Sequence, residues 1–92
     1  MTFRGVFSYN FIMEKIRYNI VLRPEKEGGF TVMVPSLPGC ITYGKTLQEA
    51  KAMIADAIKG YLISLKKHKQ PIPNDEESFL AFVDIKKSLT YA

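Results

Sequence analysis

The sequence predicts an α+β fold: a two-layer β-β-β-α-β arrangement in which a three- to four-stranded, mainly antiparallel sheet carries one long helix on one face. Three observations point to it. Runs that alternate apolar and polar residues fill the first half of the chain, a single run of helical period follows a capping signal at Thr46, and a further apolar run comes after Pro71 and Pro73. With 92 residues there is material for one core and not for two.

In "KIRYNIVL", Lys15 to Leu22, Ile16, Tyr18, Ile20 and Leu22 alternate with Lys15, Arg17 and Asn19, which marks a first strand with one buried face. The polar connection "RPEKEGG" follows, and Gly28 and Gly29 can take positive φ without steric cost. Phe30 to Val34 alternates again, so the two runs read as an antiparallel hairpin. Pro35 lacks the N–H that a ladder needs and ends this second strand. Pro38-Gly39 suits the central positions of a type II turn, because proline presets φ and glycine accepts a positive one. Cys40 to Tyr43 is a short third strand, and Gly44-Lys45 bends the chain toward Thr46.

"TLQE" fits a capping box, with Thr46 as N-cap and Glu49 reaching back to the N-cap amide. From there Leu47, Ala50, Ile54, Ile58, Tyr61 and Leu65 recur at spacings of three and four, the apolar stripe of a helix of about twenty residues. Gly60 costs that helix about 1 kcal/mol relative to alanine and predicts close packing against a neighbour. "KKHK", Lys66 to Lys69, puts positive charge at the negative end of the dipole, and the prolines stop the helix. "NDEES" reads as an exposed turn. "FLAFVDI", Phe79 to Ile85, reads as a fourth strand whose near-continuous apolarity predicts burial on both faces and a central position.

The second face of such a sheet, carrying Val21, Thr31, Met33, Leu80 and Phe82, is too apolar to stay wet. A second copy of the chain is the expected cover, with Val21, Met33, Leu80 and Phe82 as the oligomer face. Residues 1–13 form an N-terminal extension: Phe7, Tyr9, Phe11 and Met13 alternate as a further strand would, while Met13 is an equally good natural start that would leave the preceding residues vestigial. The domain proper spans 14–86, with a short tail over 87–92.

Composition narrows the class further. Apolar residues make up 47% and charged residues 24%, as in soluble globular proteins, and no stretch is long and apolar enough to span a membrane. One cysteine excludes an internal disulfide and suits a reducing bacterial or archaeal cytoplasm; no signal peptide is expected. The net charge of +4 permits contact with nucleic acid without requiring it.

Three segments in order, "GGFTVMVPSLPGC", "TYGKTLQEA" and the "PIP" after the helix, resemble the N-terminal domain of HicB-type antitoxins and their short stand-alone relatives, over about Ile16 to Ile85. The resemblance implies a fold like a truncated ribonuclease H, a homodimer or tetramer, and neutralisation of a small mRNA-cleaving toxin ribonuclease, HicA, by covering its active site. Many members of that family add a C-terminal DNA-binding domain. Only seven residues follow Ile85 here, so operator binding by that route is not expected.

The reactive residues agree with a non-enzymatic reading. Two-metal hydrolysis needs several carboxylates around ions about 4 Å apart. The first strand supplies none, Glu25 and Glu27 lie in a loop, Glu49 serves a cap, and with Asp56 on the helix and Asp84 at the end of the last strand at most two could approach each other. Cys40 and His68 fall at opposite ends of the helix, too far apart for a nucleophile and its base. No catalytic residue, metal or cofactor is expected. The candidate partner surface is the turn at Pro35, Leu37, Pro38 and Gly39, with Leu37 read as an exposed apolar anchor at its tip. Two other functions stay open: a stand-alone RNA-binding or RNA-processing protein, and an oligomeric scaffold that has lost its toxin.

Overall fold

Among the described residues the alternating first half forms three short strands, and one long helix follows them. The structure is a computed structural model that describes residues 15–88. The expected strand over Phe7 to Met13 lies outside the described residues. In chain order the elements are β1 (Val21–Pro24), β2 (Phe30–Met33), β3 (Ile41–Gly44) and α1 (Leu47–Lys67). The sheet has order β1-β2-β3 and both pairings are antiparallel.

Register fixes the two faces. Leu22, Val32 and Thr42 lie opposite one another on the helix side, while Val21, Met33 and Ile41 form the next row on the open side. Val32 is buried and its neighbour Met33 is exposed, as a period of two requires. The core lies between β2, the turn that follows it, and α1: Val32, Val34, Leu37, Cys40, Ala50 and Ile54 are all buried. Tyr18, Ile20 and Leu22 pack against this cluster from the β1 side, as their alternation predicts. Only the end of that run is hydrogen-bonded into the sheet; residues 15–20 lead into it without a ladder.

Glycine is required at two approaches. Gly29 has φ +81°, and a Cβ there would run into the ring and hydroxyl of Tyr43, which donates to the Gly28 carbonyl at 2.8 Å. At Gly44 a Cβ would meet the amide nitrogen and Cα of Ala50, so β3 reaches the first turn of α1 only because no side chain intervenes. Gly60, by contrast, has nothing within 4 Å of an added Cβ, and the expected close packing there is not found in this chain.

The helix caps follow the sequence closely. Thr46 accepts from the Glu49 amide at 3.0 Å, and the Glu49 carboxylate reaches back to the amide of Lys45, one residue before the predicted Thr46. At the other end the Gln70 amide donates to Leu65 and the Lys69 amide to Lys66, closing a Schellman-type stop with Lys69 at φ +56°.

The fourth strand does not form among the described residues. Residues 79–85 belong to no sheet, and Phe79, Phe82 and Val83 are 86%, 95% and 82% exposed. Continuous apolarity signals that a segment is buried somewhere; it does not say which chain supplies the covering surface.

Candidate functional site

The turn after β2 is built from two consecutive β-turns. The Leu37 amide donates to the Val34 carbonyl at 3.0 Å, and the Cys40 amide donates to the Leu37 carbonyl at 2.9 Å. Gly39 sits at φ +85°, the left-handed value that the third position of a type II turn demands, so Pro38-Gly39 plays its expected part. The Val34 amide closes the loop on the Cys40 carbonyl at 3.1 Å. Tyr61 on α1 donates its hydroxyl to the Pro38 carbonyl at 2.8 Å, tying the turn to the helix.

Leu37 occupies the corner shared by the two turns, and there the structure corrects the sequence reading. Its side chain is 0% exposed and belongs to the core. The loop therefore presents Pro35, Pro38 and Gly39 to solvent with Leu37 as the bolt beneath them. A surface fixed in this way loses little freedom when something binds it.

Asp75 is the residue that sequence reasoning misplaced. Within the supposedly exposed "NDEES" it is buried, and it clasps three parts of the chain together. Its amide donates to the Arg17 carbonyl at 2.9 Å, its carboxylate accepts from the Asn19 amide at 2.8 Å, and the Ser36 hydroxyl donates to it at 2.6 Å. Tyr18 adds a hydrogen bond to the Pro73 carbonyl. Because Ser36 belongs to the proline turn, the clasp holds that turn at a second point besides Tyr61. An aspartate in a polar run offered no local sign of these long-range partners.

Hydrogen bonds from Ser36 and then from the Asn19 amide hold the Asp75 carboxyl below its ordinary value, against the opposing effect of desolvation. A carboxyl depressed in the folded state contributes stability that is present above its unfolded pKa near 3.8 and is lost as pH falls through the folded value. Asp75→Asn should therefore lower Tm at pH 7 while flattening the loss of Tm as pH falls below about 4. An unchanged acid limb in the variant would show that Asp75 is not the titrating clasp.

The four residues expected on the oligomer face divide into two pairs. Val21 and Met33 are direct cross-strand partners on the open face, with Ile41 beside Met33. Leu80 and Phe82 are not on that face; they lie in the unpaired segment after the clasp. Cys40 is buried in the core and its thiol is pushed up by desolvation, which disfavours the thiolate. His68 caps α1, its Nδ1 lying 2.8 Å from the Ser64 carbonyl. Among the described residues no three His, Cys, Asp or Glu side chains come together as metal ligands, and no helix is long and apolar enough to cross a membrane.

The described residues form a small α+β domain, a three-stranded antiparallel sheet with one long helix. A family described as the HicB_like antitoxin of bacterial toxin-antitoxin systems matches residues 18–87. The chain belongs to this HicB-like antitoxin family. A UPF0150 protein of Thermoplasma acidophilum is 45% identical over 60 residues, 65% of this chain and 87% of that one. Antitoxin HicB 1 of Photorhabdus laumondii is 44% identical over 55 residues, 60% of this chain but only 36% of that longer protein. A UPF0150 protein of Synechocystis is 37% identical over 59 residues, 64% of this chain and 75% of the relative. Membership implies a toxin partner and suggests a non-catalytic role.

Proposed function

We propose that the chain is an antitoxin that binds a HicA-type, mRNA-cleaving toxin in the cytoplasm and inhibits it by covering its active site, using no chemistry of its own. The braced turn carries this reading. Pro35, Pro38 and Gly39 are exposed on a loop that Leu37, Tyr61 and the Ser36–Asp75 contact hold from within. Inhibition by occlusion needs a stiff, shaped surface, and such a surface binds without the ordering cost of a mobile loop. We place self-association of the antitoxin on its apolar open face, through Val21 and Met33, with Leu80 and Phe82 contributing from the segment after the clasp.

The test is reconstitution with a purified HicA-type toxin. The antitoxin should stop RNA cleavage by that protein at equimolar ratio. Pro38→Glu, whose side chain is exposed, should weaken binding about tenfold or more, while loss of the proline's φ restraint costs the fold no more than about 1 kcal/mol. Binding that is indifferent to Pro38→Glu and Pro35→Glu would remove the turn from the interface. Metal-dependent cleavage of RNA by the purified chain alone would overturn the antitoxin reading.

A further inference from the structure

The clasp at Asp75 leaves the chain with a feature that the toxin-binding turn does not explain. Between Phe79 and Ile85, five large apolar side chains (Phe79, Leu80, Phe82, Val83 and Ile85) are 59–95% exposed, along a stretch that belongs to no helix or strand. The root of this segment is fixed, because Asp75 is bonded to Arg17, Asn19 and Ser36, and the Ser78 amide donates to the Asp75 carbonyl at 3.1 Å in a turn that directs the chain outward. A patch of this kind marks an interaction surface.

We propose that residues 79–85 are an exchanged strand, laid by each chain along the outer edge of β1 in a second copy. The proposal rests on the self-association put forward above and specifies how it is made. Among the described residues β1 pairs only with β2, so the outer side of Val21–Pro24 presents an unpaired row of backbone groups. Of the two sheet edges, this is the one beside which the segment is rooted, since Arg17 and Asn19, the partners of Asp75, lie in the run leading directly into β1. One chain thus holds a strand without a sheet and a sheet edge without a strand. A two-fold exchange satisfies both at once, with main-chain hydrogen bonds as the common element.

Side-chain alternation supports this occupant over an unrelated protein. In a paired strand Leu80 and Phe82 point to one face, and Phe79, Val83 and Ile85 to the other. The first pair extends the open-face row of Val21, Met33 and Ile41, and the second set extends the helix-side layer begun by Leu22 and Val32. Both sides of the segment therefore meet apolar surface that the chain itself provides in duplicate. Covering these side chains removes on the order of 700 Å² per chain, about 1,400 Å² in all, which is what a stable dimer needs.

Light scattering on the full chain at about 50 μM, well above a micromolar dimer constant, should give twice the chain mass. Phe82→Asp and, separately, Ala81→Pro, which removes a ladder donor, should each weaken the dimer by about 100-fold or more without loss of the helical CD signal, since among the described residues the segment takes no part in the core cluster. A photo-crosslinker at position 82, in a mixture of ¹⁵N-labelled and unlabelled chains, should join residues 20–24 of one isotope to position 82 of the other. Crosslinks confined to single-isotope chains mean that the segment folds back on its own β1, and the exchange is wrong. A dimer that survives both substitutions yet dissociates in Met33→Asp also overturns the exchange, while leaving face-to-face self-association intact. A wild-type monomer at this concentration overturns both.

Discussion

Gly44→Val is expected to abolish cooperative unfolding: the far-UV CD melt should lose its transition, and the chain should expose its apolar surface at room temperature. The Cα of Gly44 faces the backbone of Glu49 and Ala50, and an added Cβ would lie 2.8 Å from the Glu49 carbonyl carbon and closer still to Ala50. Backbone cannot step aside as a side-chain tip can, so β3 and the first turn of α1 must separate. That contact also holds Ala50 and Ile54 against Val32. The cost, on the order of 4 kcal/mol or more, is comparable to the whole stability of a domain this small. Gly60→Ala supplies the control, since space is open there and alanine should stabilise the helix by about 1 kcal/mol. If the valine variant melts like wild type, the close approach of β3 and α1 is not a feature of the molecule.

The second large effect concerns Leu37. Leu37→Ala should destabilise the chain by about 3 kcal/mol, the usual cost of emptying a fully buried leucine site, read as a shift in urea midpoint with unchanged m-value. Pro38→Glu, one residue away and exposed, should move that midpoint far less, by the equivalent of about 1 kcal/mol at most. A solvent-facing leucine at a loop tip would instead give a change within about 0.5 kcal/mol, and that outcome would return Leu37 to the surface. The contrast separates what fixes the turn from what the turn presents to solvent.

Much of the body was legible in the sequence because its determinants are local. Gly28 and Gly29 mark the hairpin, and both adopt positive φ. Pro38-Gly39 specifies its turn type through two residues' backbone preferences alone. Thr46 and Glu49 cap the helix, displaced by one amide from expectation. The failures share a different cause. Loop composition implied an exposed Leu37, but two consecutive turns fold the side chain at their junction inward. Asp75 pairs with Ser36, 39 residues earlier, and no pattern within a window of helix or strand length registers such a partner. Residues 79–85 have the apolarity of a central strand, yet hydrophobic patterning reports a demand for burial and is silent on whether the same polypeptide meets it. The turn's shape was legible in Pro38 and Gly39, while the exposure expected of Leu37 was not found.

The Asp75 clasp also imposes an order on biosynthesis. Its contacts to Arg17 and Asn19 span more than half the chain, so they cannot be made until the ribosome has released the residues beyond the helix. The hairpin and helix, held by short-range contacts, are free to assemble earlier, and loop closure comes last. During that interval Arg17 and Asn19 carry bare backbone polar groups. A nascent chain stalled before Asp75 emerges would therefore be the species most open to proteases and to premature association.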